Sequence, residues 1–283
     1  MILSLRQIKS KIRSIQNVKK VTHAMEMIAT AKFRSMESEV SVARQYLAKV
    51  ETLMYDLLSH RGSLKPPLLD RRDHQRKIVL CVIASDTGLC STYNSEMFAH
   101  VEDFIRNLGH EEVELVVVGK KCFNYFKKRG FAIRESFLEL HGRYSEEITC
   151  RILNTLVECF VLREAGSVFL AYTHFETTAR HMARIEKLFP IDPKKQGPEV
   201  VLFEPDVQRI IEDLIPVFVF HKVKTVLLES FASEHAARMM AMGEATENAR
   251  GLLEDMVLLR NKVRQANITN EILEISSTAE VLR

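Results

Sequence analysis

The sequence has no tryptophan, and its ten glycines and seven prolines are few for 283 residues, about half the combined share of roughly 12% usual in globular chains. That scarcity excludes collagen-like and low-complexity classes. The five cysteines (Cys81, Cys90, Cys122, Cys150 and Cys159) are odd in number and widely spaced. They argue against a disulfide framework or a cysteine-based metal site and fit a reducing compartment. No apolar run approaches the roughly 20 residues that span a bilayer, the longest being Ile78 to Ala84, so no membrane crossing is expected. Charge is nearly balanced, 40 basic against 37 acidic residues.

The helix breakers are unevenly placed. The first 61 residues hold neither Gly nor Pro, all seven prolines lie between Pro66 and Pro216, and beyond Pro216 only Gly243 and Gly251 occur. Two long uninterrupted helices therefore bracket a compact middle. The first 36 residues are rich in Lys and Arg, as a transit peptide would be. An apolar repeat argues against that reading, because it runs through the segment to residue 57.

Steps of three and four from Leu5 give a seam through Ile8, Ile12, Ile15, Lys19, Thr22, Glu26, Ala29, Phe33, Met36, Val40, Ala43, Leu47, Val50, Met54 and Leu57. At the three polar positions, Lys19, Thr22 and Glu26, the apolar stripe is expected to shift to Val18, Val21, Met25 and Ile28. Near the C-terminus the same walk runs Met242, Ala245, Ala249, Leu252, Met256, Leu259, Val263, Ala266, Asn270 and Leu273. Two such helices pack most simply as an antiparallel coiled coil.

The middle alternates continuous apolar runs at 77–84, 114–118 and 167–172 with helical stretches near 92–108, 120–129 and 145–164. Strands apolar on both faces predict a mostly parallel sheet flanked by helices, a Rossmann-like α/β domain. The predicted layout is an N-terminal coiled-coil helix (1–59), a linker (60–76), the α/β domain (77–206) and a C-terminal coiled-coil helix (207–283). Glu204, Pro205 and Asp206 suit a helix start, with Pro205 and Pro216 marking its entry.

Phosphate-binding motifs are missing. Gly119-Lys120-Lys121 lacks the rest of a P-loop, and no Gly-x-Gly-x-x-Gly occurs. Asp86-Thr87-Gly88 matches the aspartic-protease triplet but follows a buried strand and has no second copy. Neither metal-binding His spacing nor a nucleophile elbow is present. No cofactor, metal, catalytic residue or direct nucleotide binding is expected. The basic run Lys9, Lys11, Arg13, Lys19 and Lys20 lacks interleaved aromatics, so an acidic protein partner suits it better than nucleic acid.

Helix lengths carry a further expectation. With residue 58 beside residue 207, residue 1 reaches only about residue 264 at ~1.5 Å per residue. The remaining tip carries no Lys or Arg before Arg283, yet Ile268, Ile272, Ile275, Ala279 and Leu282 form an apolar stripe. A lone helix with such a stripe needs a socket; otherwise it frays or folds back.

The stretches Ile8 to Asn17, Ala24 to Ala29, Ser233 to Met242 and Asn261 to Glu271, with Ser85 to Cys90, Tyr93-Asn94 and Phe203 to Asp206 between them, resemble the gamma subunits of F-type ATP synthases. The resemblance implies a central rotor shaft. Its coiled coil would stand inside the hexamer of alpha and beta subunits, and its α/β foot on the membrane c-ring beside an epsilon-type subunit. The shaft would couple proton or sodium movement to ATP synthesis or hydrolysis, as a peripheral protein on the cytoplasmic face of the inner membrane. By position, the resemblance puts Met25, Gln265 and Thr269 against the catalytic subunit and Glu204 near the ring, with Ile268, Ile272, Ile275 and Leu282 as the bearing of the tip. Thr87, Ser91, Thr92, Gly243 and Glu244 depart from the family pattern and point to a divergent lineage. The chloroplast cysteine insertion is not recognisable. A coiled-coil scaffold unrelated to energy conversion and an α/β enzyme with an unseen site stay open as alternatives.

Overall fold

The computed structural model describes residues 4–59, 66–70, 77–109, 112–178, 180–192 and 207–281. The two breaker-poor ends form single helices, α1 (Leu5–Ser59) and α5 (Val207–Val281). Between them lie β1 (Lys77–Ile83), α2 (Tyr93–Asn107), β2 (Glu112–Val118), α3 (Lys120–Lys128), β3 (Ala132–Phe137), α4 (Glu146–Val161), β4 (Ser167–Thr177) and β5 (Arg180–Phe189). The fold is thus the expected one of long terminal helices around an α/β domain.

The sheet has the order β3-β2-β1-β4-β5, parallel except for the β4-β5 pair. Side chains of β1 alternate between two cores, as the strand period of two requires. Leu80 and Val82 pack with Met97, Phe98, Cys122 and Phe126 of α2 and α3. Val79, Cys81 and Ile83 face the core built with α4, α1 and α5 through Ile152, Leu156, Leu47 and Val223. Burial on both faces is why β1 reads as an unbroken apolar run.

Strands β3 and β5 were not among the expected elements. Both lie at sheet edges and carry charged residues that pair rather than pack. Arg134 of β3 reaches Glu114 and Glu164 at 3.3 and 2.6 Å, and Glu186 of β5 takes Lys222 at 2.9 Å. Edge charges of this kind hide a strand from an apolar-run reading.

The chain divides into two compact units, after Ile28 in α1 and before Met239 in α5. In the unit of residues 29–238, α1 and α5 run antiparallel. Arg44 pairs with Glu229 at 2.5 Å and Glu51 with Lys222 at 3.4 Å. This register corrects the expected pairing of residue 58 with residue 207. The first turns of α5 instead bury Ile211 and Ile215 in the α/β core. Pro216 also lies inside α5 rather than at its entry. Its exposed position lets water take the Glu212 carbonyl that proline leaves without an N–H donor.

In the unit made from the two helix ends, the hydroxyls of Thr22 and Thr246 lie 2.9 Å apart, and Glu26 lies against Gly243, where a Cβ would come within 3.4 Å of its carboxylate. The pairing is again antiparallel. Of the expected shifted stripe, only Met25 is half-buried. Val18, Val21 and Ile28 are each more than half exposed, while Lys19, Thr22 and Glu26 keep the half-buried seam positions. Polar seam residues stay there because a threonine and a side-chain-free glycine face them. Leu252 is likewise exposed, and its neighbour Leu253 takes the seam position.

Two glycines are fixed by close approach. Gly119 has φ +100, and a Cβ there would stand 2.2 Å from the Ala84 carbonyl oxygen. Gly142, at φ +63, would meet His235 Nε2 at 2.5 Å. Replacing Gly119 by Ala should cost about 3 kcal/mol, combining the clash with left-handed strain. Gly130→Ala, with φ +78 but nothing near its Cβ position, should cost about 1 kcal/mol. Urea denaturation of the full chain separates the two values.

The buried His235 ring sits 3.0 Å from the Gly142 carbonyl through Nε2, and Nδ1 faces the Arg238 guanidinium at 3.3 Å. Nε2–H donates and Nδ1 accepts, which is the neutral imidazole. Burial lowers the His235 pKa from 6.5 to about 4. The unfolded chain therefore takes up this proton first, so its contribution to stability is intact above pH 6.5 and declines as the pH falls toward 4. His235→Gln should flatten that part of the stability profile, as read from denaturation midpoints across the window.

Candidate partner surfaces and the filled crevice

Five of the residues singled out for partner contact lie together near the C-terminal end of α5. Side chains from Arg264 to Thr278 are all exposed, with Ile272 at 60% and Ile275 at 70% of full exposure. At about 100° per residue, Gln265, Ile268, Thr269, Ile272 and Ile275 share an arc of roughly 120°. The Thr269 hydroxyl donates to the Gln265 carbonyl oxygen at 2.9 Å, which leaves its oxygen free to accept. Met25 is half-buried on α1. The Thr22–Thr246 register sets it level with about residue 243, roughly 33 Å along α5 from Gln265. It therefore lies apart from the exposed arc of α5. Glu204 and Leu282 lie outside the described residues.

The buried charged residues that the sequence reading missed are in the α/β unit. From Thr225 to Arg238 every residue of α5 is buried, including Glu229, Glu234, His235 and Arg238. Glu229 takes Arg44 on one oxygen and lies 2.6 Å from His174 Nδ1 on the other; Arg44 also donates to the Phe175 carbonyl. Glu234 receives Arg238 at 2.8 Å. Burial raises the Glu234 pKa, against the pull of Arg238. Lys32 of α1 reaches the His141 carbonyl oxygen at 3.0 Å, and burial together with Arg143 lowers its pKa. The available signal was the Glu234/Arg238 pair, an acid and a base four residues apart in the otherwise uncharged run Ser230 to Met242.

A second cluster closes α1 onto β5. Lys222 lies 3.4 Å from Glu51 and 2.9 Å from Glu186, and the Tyr172 hydroxyl donates to Glu186 at 2.7 Å. Burial alone would lower the Lys222 pKa, but the two carboxylates outweigh it and raise it. Burial would raise the Glu186 pKa, but Lys222 and the Tyr172 hydroxyl outweigh it and lower it. The cluster is a structural junction in which one ammonium is shared between two carboxylates.

Asp86 accepts the backbone N–H groups of Lys120, Glu139 and His141 at 2.9, 3.0 and 2.7 Å. It thereby occupies the helix N-terminus where an anion would bind. Lys120 and Lys121 are exposed, with the Lys121 ammonium lying over Gly88. Burial pushes the Cys81 thiol up to about 12, far from a nucleophile. Among the described residues no group of three His, Cys, Asp or Glu could hold a metal ion, and no helix is long and apolar enough to cross a membrane.

A family model described as ATP synthase matches residues 4–282. The ATP synthase gamma chain of Protochlamydia amoebophila is 36% identical over 288 residues, covering 99% of both chains. That of Rubrobacter xylanophilus is 35% identical over 287 residues, covering 99% of this chain and 98% of the other. A chain of the Euglena gracilis mitochondrial ATP synthase OSCP/F1/c-ring structure shares the fold with a TM-score of 0.68 at 16% identity, over 98% of this chain and 94% of that one. A chain of the Tetrahymena thermophila central stalk/c-ring structure gives 0.59 at 21% identity, over 80% and 99%. End-to-end identity above one third with named relatives leaves no room for an unrelated scaffold, and the chain belongs to the family of ATP synthase gamma chains.

Proposed function

We propose that this chain is the central rotor shaft of an F-type ATP synthase. Its helix ends stand inside the hexamer of alpha and beta subunits. Its α/β domain, with Glu204 nearby in sequence, sits on the membrane c-ring with the epsilon-type subunit. Turning of the ring is passed through α5 to the catalytic sites, or the reverse during hydrolysis. The chain's own part is mechanical, within a peripheral complex on the cytoplasmic face of the inner membrane. Gln265 and Thr269 meet a polar loop of the catalytic subunit, and Met25 meets its lower segment.

The observation that carries this reading is the bare tip. At the Thr22–Thr246 register, Leu5 stands opposite about residue 263, and every described side chain beyond is exposed while Ile268, Ile272 and Ile275 remain apolar. Full burial of three isoleucines would contribute about 1.5 to 3 kcal/mol each, and such contacts have no single locked geometry. A turning element needs partners of that kind, since each deep ion pair would cost several kcal/mol to break.

Changing Ile268, Ile272 and Ile275 together to Ser should leave urea stability of the free chain within about 0.5 kcal/mol, because the side chains are already solvated. Assembly with alpha and beta subunits should fall at least tenfold, measured by sedimentation of the reconstituted complex. Unchanged assembly would contradict the bearing. The free chain should also show no saturable ATP binding by calorimetry, because Asp86 fills the anion position on α3.

A further inference from the structure

The chain leaves β1 toward β2 on one side and later enters β4 on the other, so the sheet order reverses between β1 and β4. In doubly wound sheets that crevice, outside the carboxyl ends of the strands, is where ligands bind. Here the protein's own groups fill it. The Tyr93 hydroxyl, at the start of α2, donates to the Ser230 carbonyl of α5 at 3.0 Å. Ser233 donates to the Thr173 carbonyl of β4 at 3.4 Å. Arg238 Nη2 donates to the Thr87 carbonyl at 3.2 Å and to the Thr87 hydroxyl oxygen at 2.9 Å, and its Nε lies 3.3 Å from the Gly88 carbonyl oxygen. Small Ala237 lets α5 approach Cys90 and Tyr93 closely enough for the three to form one buried cluster.

We propose that the ligand crevice of this α/β domain has become a torsional socket for α5, with Arg238 and Tyr93 as the positioning residues that fix the helix's rotational setting. Apolar packing around a helix resists displacement but is weakly directional. Hydrogen bonds to fixed loop carbonyls are directional, and the planar guanidinium presents five donors in a rigid fork that a lysine cannot reproduce. The latch closes one residue before the division in α5 at Met239, on a helix continuous to Val281. Within the unit of residues 29–238, a twist carried along α5 from beyond Met239 therefore reaches Arg238 first. Glu234 supports the latch from below: its Oε1 holds Arg238, and its Oε2 is buried without a hydrogen-bond partner. The coupling half of the proposal rests on the rotor reading.

The test compares Arg238→Lys, Tyr93→Phe and the neutral double variant Glu234→Gln/Arg238→Gln with the parent, all carrying Cys150→Ser to remove the exposed thiol. In the free full chain, iodoacetamide labelling of the buried Cys90 is mapped by mass spectrometry. In the reconstituted complex, ATP hydrolysis and ion pumping are measured together. The expected result is labelling at least tenfold faster, with pumping per ATP at least halved while hydrolysis continues. Parent-like labelling and pumping in folded variants would overturn the latch. Faster labelling with unchanged pumping per ATP would overturn its role in positioning. If Arg238→Lys does not fold, Tyr93→Phe and the double variant decide in the same two ways. A parent chain that assembles no pumping complex would instead count against the rotor reading, which separates the two failures.

Discussion

Everything else in the structure is arranged around the burial of α5 on all sides between Thr225 and Arg238. A helix has an exposed face in most domains, so charged residues normally have somewhere to go. This segment has none, and it contains Glu229, Glu234, His235 and Arg238. An unpaired buried charge costs several kcal/mol, so Glu229, His235 and Arg238 take partners from other elements, while Glu234 takes Arg238 on the same helix. Arg44 comes from α1, His174 from β4, Gly142 from the loop before α4, and Thr87 and Gly88 from the loop after β1. The apolar residues of the same segment, Val226, Leu227 and Phe231, join the main core. One stretch of helix thus ties α1, the sheet and two loops together.

That arrangement assigns different roles to the two parts of α5. Inside the α/β unit the helix is held by directional polar contacts. In the unit of helix ends it is held by a thin seam of Met242, Ala249 and half-buried neighbours, interrupted by Thr22, Glu26 and Gly243. Beyond residue 264 the chain supplies no partner at all among the described side chains. Firm anchoring at one end and an unsatisfied apolar surface at the other is what an axle requires. Asp86 and Arg238 take up the helix N-terminus and the sheet crevice that a ligand of a Rossmann-like sheet would use.

Much of this was legible in the sequence because it depends on short-range rules. Missing breakers marked α1 and α5, continuous apolar runs marked β1, β2 and the start of β4, and the unequal helix lengths marked the bare tip. The failures share one physical cause, which is that pairing partners distant in sequence override local pattern. Strands β3 and β5 are polar because Glu114, Glu164 and Lys222 neutralise them. Thr22 and Glu26 remain in the seam because the facing helix offers Thr246 and Gly243. Pro216 is tolerated within α5 because it faces solvent. The buried network was hardest to see, since the need for Glu234 to meet Arg238, and for Arg238 to meet Thr87, arises only once α5 crosses the crevice.

The claim that α5 is anchored through residues 225–238 is tested most directly by native-state hydrogen exchange of the full chain, resolved along that one helix. The account predicts that amides from Thr225 to Arg238 open only with global unfolding, those from Met239 to Val263 exchange at intermediate rates, and those from Arg264 to Thr278 exchange fastest. Protection that is uniform along α5, or greater beyond Met239 than between Thr225 and Arg238, would contradict it.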